Sequence, residues 1–164
     1  MMIKTLLLIF MATLLINCGK DERTDATINY HLTTKSDTTY RRISFEFDYT
    51  RAHRQQNREI RTVYLDPKRV SFDLSNPDII FLGSSTIEPE NINGFDFGFG
   101  EFSVVKGEDT LELVQPVGYD DFAAFQLEPL ERAVINVTFI LDVDASLVLD
   151  SAGQNWIKPQ VIIE

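Results

Sequence analysis

Three stretches of this chain alternate apolar and polar residues with a period of two, and that pattern leaves little choice of fold. In ISFEFDYT, Ile43, Phe45, Phe47 and Tyr49 alternate with Ser44, Glu46, Asp48 and Thr50. In GFDFGFG, Phe95, Phe97 and Phe99 alternate with Asp96, Gly98 and Gly100. In VINVTFILDVD, Ile135, Val137, Phe139, Leu141 and Val143 alternate with Asn136, Thr138, Ile140, Asp142 and Asp144. Side chains on a strand point to opposite faces in turn, so each stretch reads as a half-buried strand with its apolar side inward. Shorter strands are expected at 28–33, 61–65, 69–74, 79–82, 110–114, 123–127, 146–149 and 156–163. Breakers fall between them: Asp66-Pro67, Asn76-Pro77, Glu88-Pro89, Lys106-Gly107, Pro116 to Gly118 and Ala152-Gly153.

No stretch of helical length carries a 3.6-residue stripe, and YDDFAAF (119–125) offers at most one turn. Twelve Phe and five Tyr against one Trp suit a pleated, half-buried surface. Many short strands with regular breaks predict an all-β fold, an antiparallel β-sandwich or barrel. Gly98 and Gly100 leave one face of their strand nearly bare. A bulge or the close approach of another backbone explains this better than a ligand floor.

The first residues follow a different logic. MMIK and then TLLLIFMATLLI form a positively charged start and an apolar run, too short for the roughly 20 residues that cross a bilayer as a helix. The run reads as a signal peptide. In place of a small-residue cleavage site stands Leu15-Ile16-Asn17-Cys18, which resembles the bacterial lipobox. The resemblance implies that Cys18 becomes the first residue of the mature chain and carries acyl chains. Asn17 departs from the usual Gly, Ala or Ser. Cys18 is the only cysteine, so no disulfide can form within the chain. Each buried CH₂ contributes about 0.8 kcal/mol and one chain holds marginally, so two or three are needed for a stable anchor. Gly19 follows, without the Asp that retains such proteins in the inner membrane, and Lys20-Asp21-Glu22 resembles a surface-export signal. Residues 19–27 are polar and read as a tether. The expected organisation is a signal peptide (1–17), a lipidated Cys18 and tether (18–27), and one β-domain (28–164).

Charge narrows the partners. The chain carries 15 Lys and Arg against 25 Asp and Glu, a net charge of −10. That sign argues against nucleic acid and against adsorption to anionic lipid, leaving a protein or glycan partner. The distribution is uneven: Arg41, Arg42, Arg51, Arg54, Arg58, Arg61, Lys68 and Arg69 form a basic block, and only three basic residues follow Val70. Within the block, RAHRQQNREIR (51–61) lacks aromatics for base stacking and reads as a connecting loop. Arg51, Arg54, Arg58 and Arg61 are its candidate contacts to an anionic partner.

Catalytic chemistry finds little support. His31 and His53 are the only histidines, and GSSTIE (83–88) lacks a nucleophile elbow. Asp142 and Asp144, two residues apart on a strand, share a face and are weak candidates for Ca²⁺, without an EF-hand spacing. Solvated carboxylates that keep strand edges from pairing explain them as well. Asn136-Val137-Thr138 falls mid-strand and is discounted as a glycosylation site, and Trp156 reads as packing rather than as a sugar platform. No cofactor, catalytic residue or dedicated metal site is expected.

The order of features in the second half resembles bacterial lipoproteins of the domain-of-unknown-function 4382 family. The matching residues are Leu141, Asp142, Asp144, Ser146, Gly153, Trp156, Lys158, Pro159 and Val161, with weaker likeness in YRRISFEFDYTRAH and VSFDL. The resemblance implies an Ig-like or prealbumin-like sandwich in a cell-envelope protein and supplies no catalytic residue. The expectation is a lipid-anchored, non-enzymatic binding or structural module on the outer membrane, possible at either face. A periplasm-facing assembly factor and a Ca²⁺- or carbohydrate-binding surface domain are the alternatives.

Overall fold

The computed structural model describes residues 25–36, 40–54, 60–63, 68–88, 91–115, 122–149 and 155–164. Cys18, the tether up to residue 24 and Arg58 lie outside them. Two sheets face each other. The first contains β1 (Ala26–Lys35), β5 (Ile80–Ile87), β9 (Val134–Asp142) and β12 (Val161–Ile163), in the order β12-β9-β1-β5. Its β1–β9 ladder is parallel; the others are antiparallel. The second sheet is built on the long pair β2 (Arg42–Arg54) and β6 (Ile92–Lys106). Strands β4 (Lys68–Asp73) and β3 (Ile60–Val63) line the free side of β2. On the free side of β6 lie β7 (Asp109–Leu113) and β8 (Ala123–Leu127).

A small hairpin of β10 (Leu147–Leu149) and β11 (Asn155–Ile157) joins β7 through a Val114–Trp156 bridge. One helical turn, α1 (Val143–Ser146), follows β9. The fold is thus the all-β sandwich that the period-two pattern predicts. Residues 123–127 form β8 as expected, and the expected 156–163 strand is split at Lys158–Gln160.

Aromatic rings fill the space between the sheets. Tyr30 and Phe139 stack at 5.9 Å, and Phe139 meets Phe97 and Phe95 edge-on at 4.8 and 5.4 Å. Towards the other end Phe45 packs on Phe72, Phe99 and Phe102 at 5.1–6.0 Å. Such pairs add about 0.5–1.5 kcal/mol each beyond the area they bury.

Two slips in the β2–β6 ladder set which of their side chains face inward. Phe47 pairs with Phe99 but Tyr49 pairs with Gly98, so Asp48 is an extra residue on β2. This bulge reverses the parity: Phe45 and Phe47 face inward before it, Thr50 and Ala52 after it. Tyr49 was expected inside with the phenylalanines and Thr50 outside, and both are reversed. Thr50 is fully buried, and its hydroxyl donates to the Asp96 carbonyl at 3.2 Å. A second slip between Ser44 and Glu46 inserts a residue in β6, which lets Phe99 and Phe102 both point inward.

The connections also fix the ends. The chain enters at Ala26, which pairs with Ile87 at the end of β5. Shortly after, Ile92 opens β6 opposite Arg54, so the β2–β3 hairpin sits at this entry end. At the far end Lys35 pairs with Asp142, and Arg42 with Val105 and Asp73. The ten residues of β1 separate the two ends by about 30 Å. At the β6–β7 turn Gly107 takes φ 64°, which a two-residue hairpin favours at its first position. Lys68 Nζ donates to the Leu82 carbonyl at 3.2 Å, tying β4 to β5 across the sheets.

Deleting Asp48 removes the extra residue and leaves Phe47–Phe99 and Tyr49–Gly98 as successive pairs, so every following side chain keeps its face. The loss should stay within about 3 kcal/mol. Deleting Thr138, inside the unbroken β1–β9 ladder, turns the rest of β9 to the wrong face and should cost more or abolish folding. Asp48→Ala keeps the bulge and should change stability by under about 1 kcal/mol. Urea unfolding of these variants checks this, and an Asp48 deletion as damaging as the Thr138 deletion would refute the bulged register.

Candidate functional site

The reversed parity lays a row of side chains over the outer face of β6. Arg51 sits opposite Asp96, Tyr49 opposite Gly98 and His53 opposite Gly94. The Arg51 guanidinium grips the Asp96 carboxylate with two bonds, Nε to Oδ1 at 2.9 Å and Nη2 to Oδ2 at 2.8 Å. It also lies 5.0 Å from the centre of the Tyr49 ring. Planar, two-pronged binding of a carboxylate is what arginine does and lysine does not. His53 Nε2 lies 3.3 Å from Asp96 Oδ2 but is not aligned for a hydrogen bond, so the contact is one of position. The Phe122 ring packs edge-on against His53 at 5.1 Å.

The bare track of glycines is thereby covered. A Cβ at Gly98 would collide with the Tyr49 ring, and one at Gly94 with Phe122. Side chains cover Gly98 and Gly100, the Ala123 carbonyl approaches Gly94 beside the Phe122 ring, and the expected bulges stand next to Gly98 and Gly100.

Arg51 is thus committed to the sheet. Along the β2–β3 ladder Arg51 pairs with Thr62, and Arg61 pairs with Ala52. Of RAHRQQNREIR, residues 51–54 and 60–61 are paired strand residues of β2 and β3, and 55–59 lie outside the described residues. Arg54 ends β2, and Arg58 lies outside the described residues.

Asp142 and Asp144 do not share a strand face. Asp142 closes β9 and caps α1, accepting from the Ala145 amide at 3.0 Å, and Asp144 sits in the first turn. Lys35 Nζ approaches Asp142 to 2.9 Å, and the Ser36 hydroxyl donates to Asp144 at 3.2 Å. Burial opposes ionisation of Asp142. The Lys35 hydrogen bond and charge, with the amides of Ala145 and Asp144, outweigh it and hold the carboxyl below its ordinary pKa. Among the described residues no three His, Cys, Asp or Glu side chains converge as a metal site would need.

The same turn holds the end of the chain. The buried Ser146 hydroxyl donates to the Asp142 carbonyl and accepts from the Gln160 amide at 2.8 Å. Lys158 N–H donates to the Ser146 carbonyl, and Asp142 N–H to that of Gln160, both at 2.8 Å. Asp142, Ser146 and Lys158 thus act together as a clamp on β12.

The far end carries an open cleft of about 510 Å³ that the sequence reading did not single out. Tyr40, Arg41, Arg42, Asp73, Ser75 and Val105 line it. Asp73 Oδ1 accepts from the Ser75 amide at 2.9 Å and its hydroxyl at 2.6 Å. The Ser75 hydroxyl and amide lower the Asp73 pKa, desolvation opposes them, and the charges of Arg42 and Arg41 lower it further. Lys106 Nζ lies 5.7 Å from the centre of the Tyr40 ring. The sequence signal was the Arg41-Arg42 doublet, but the opposing wall comes from β4 and β6.

The Ser84 hydroxyl donates to Asn29 Oδ1 and that of Ser85 pairs with Tyr30 Oη, while His31 packs on Phe81. These contacts bring no serine to a histidine. No family model, curated protein or solved structure matches the chain.

Asp142→Asn preserves the cap, since Asn caps as well as Asp, but removes the charge. A carboxyl with a depressed folded pKa contributes stability that is complete above its unfolded pKa, about 3.9, and is lost as pH falls through the lower folded value. The variant should be modestly less stable at pH 7, because Lys35 is half exposed and water screens the pair. The gap should close as pH falls below about 3.9. Denaturant melts across that range test this; a gap unchanged at pH 2 would refute it.

Proposed function

We propose that this protein is a lipid-anchored, non-enzymatic binding module of the bacterial cell envelope, held in the outer membrane by acyl chains on Cys18. The observation that carries the reading is Leu15-Ile16-Asn17-Cys18 directly behind a positively charged start and a short apolar run. The resemblance to the domain-of-unknown-function 4382 lipoproteins supports it. The use of the polar residues supports binding over catalysis. Arg51 and Asp96 brace the outer face of β6, and Asp142 and Ser146 secure β12, so these groups maintain the backbone.

The topology gives such an anchor a direction. Seven residues lie between Cys18 and Ala26, so the eight steps span at most about 28 Å when fully extended and less on average. The end of the sandwich at Ala26, with the β2–β3 hairpin, would stay near the lipid, and the Arg41–Arg42 end would project away from it. This revises the choice of contact surface. Arg54 and Arg61, on the paired strands β2 and β3, lie at the end nearer Ala26, where in this reading they would meet lipid headgroups sooner than a distant partner.

Feeding cells an alkynyl fatty acid and probing the protein should label the wild-type chain in the membrane fraction. Cys18→Ser should be unlabelled and should leave that fraction. A Cys18→Ser protein that stays labelled and membrane-bound would overturn the anchor. Protease treatment of intact cells then separates display at the surface from a periplasm-facing role.

A further inference from the structure

The cleft at the far end contains an unusual combination of charges. Arg42 stands directly across the ladder from Asp73, yet the Asp73 carboxylate is turned to Ser75. Among the described residues neither Arg41 nor Arg42 has a carboxylate within ion-pairing distance. Both side chains are exposed, and the backbone of Arg41 is fixed on both sides, its N–H to Val105 and its carbonyl to the Leu74 amide. Two arginines on a fixed backbone thus keep their hydrogen-bonding forks available. Elsewhere Arg51 is spent on Asp96 and Lys35 on Asp142.

We infer that this cleft binds an acidic saccharide, with Arg41 and Arg42 taking its carboxylate and Asp73 accepting hydrogen bonds from its hydroxyls. The inference rests on the reading of the protein as a binding module and names the class of its ligand. A guanidinium fork matches a carboxylate in geometry as well as charge. Asp73 is what distinguishes a sugar from a simple anion. Its Ser75 bonds and neighbouring arginines keep it ionised, so it repels a bare phosphate or sulfate while Oδ2 remains able to accept from a hydroxyl. A ligand suited to both groups carries an acid and several hydroxyls on one small framework. The volume, about 510 Å³, suits one to a few sugar rings, and Tyr40 lies at the wall. The location fits as well, about 30 Å along β1 from the point where the tether joins.

The test is calorimetric titration of the full chain in mild detergent with a trimer of a uronic acid, the neutral trimer of the same linkage, inorganic phosphate, and vesicles containing anionic lipid. The uronate trimer should bind, the neutral trimer should not, and affinity should fall as salt rises. Arg41→Gln with Arg42→Gln should weaken uronate binding at least tenfold, as loss of charge-assisted hydrogen bonds requires. Arg69→Gln, on the outer face of β4, should leave it unchanged.

Asp73→Asn is the sharper variant. It should weaken the uronate several-fold while strengthening phosphate binding, whereas a purely electrostatic patch would strengthen both. A thermal melt verifies folding, which these exposed side chains do not support. No binding of any probe, equal binding by the double variant, or preference for phosphate or vesicles would overturn the inference. Cys18→Ser should bind the trimer as the wild type does, so failure of the anchor and failure of the cleft give different results.

Discussion

The ladder between β2 and β6 is the constraint on which the rest of the structure depends. It runs nearly the full length of both strands, and it slips at Asp48 and again at Glu101 and Phe102. Each slip re-aims the side chains that follow. Without the slip in β6, Phe99 and Phe102, three residues apart, could not both face inward. Without the one at Asp48, Tyr49, Arg51 and His53 would face the core in place of Thr50 and Ala52. The cost is a broken run of ladder bonds, offset by burial of large rings at roughly 25 cal/mol per Å².

The outer face follows from that core. Once Tyr49, Arg51 and His53 point outward they lie across Gly98, Asp96 and Gly94, and the absence of Cβ atoms at the two glycines makes room for the rings that cover them. Between these rings Asp96 is shielded from water, so its two-pronged bond to Arg51 is stronger than an exposed ion pair would be. The glycine-rich strand and the first half of the basic block, read separately as a curiosity and a candidate binding loop, are two sides of one packing arrangement.

How much of this was legible follows from the range of each signal. The strands were legible because alternation and turn residues are local, and Asn76-Pro77 and Lys106-Gly107 do fall between strands. The Asp48 bulge was hidden by its own residue, since an aspartate at a polar position satisfies the alternation and lets the pattern run on through Tyr49. Asp142 misled in the same way: its position in the alternation was right, but Val143 to Ser146 turn helical and convert it into a cap. The clue was a capping residue followed by small and polar ones. The Arg41-Arg42 cleft was legible as charge but not as shape, because Asp73, Ser75 and Val105 reach it only through long-range pairing.

The bulged register can be measured through single cysteines, since the only native thiol, Cys18, is replaceable by serine. Two chains are needed, one with Tyr49→Cys and one with Thr50→Cys, each treated with a thiol reagent under native conditions and again in denaturant. With Asp48 as an extra residue, the thiol at 49 lies on the outer face and reacts promptly in the folded protein. The thiol at 50 lies in the core and reacts only after unfolding. Prompt reaction at 50 with protection at 49 would contradict the register, and with it the placement of Arg51 and Asp96 on the outer face.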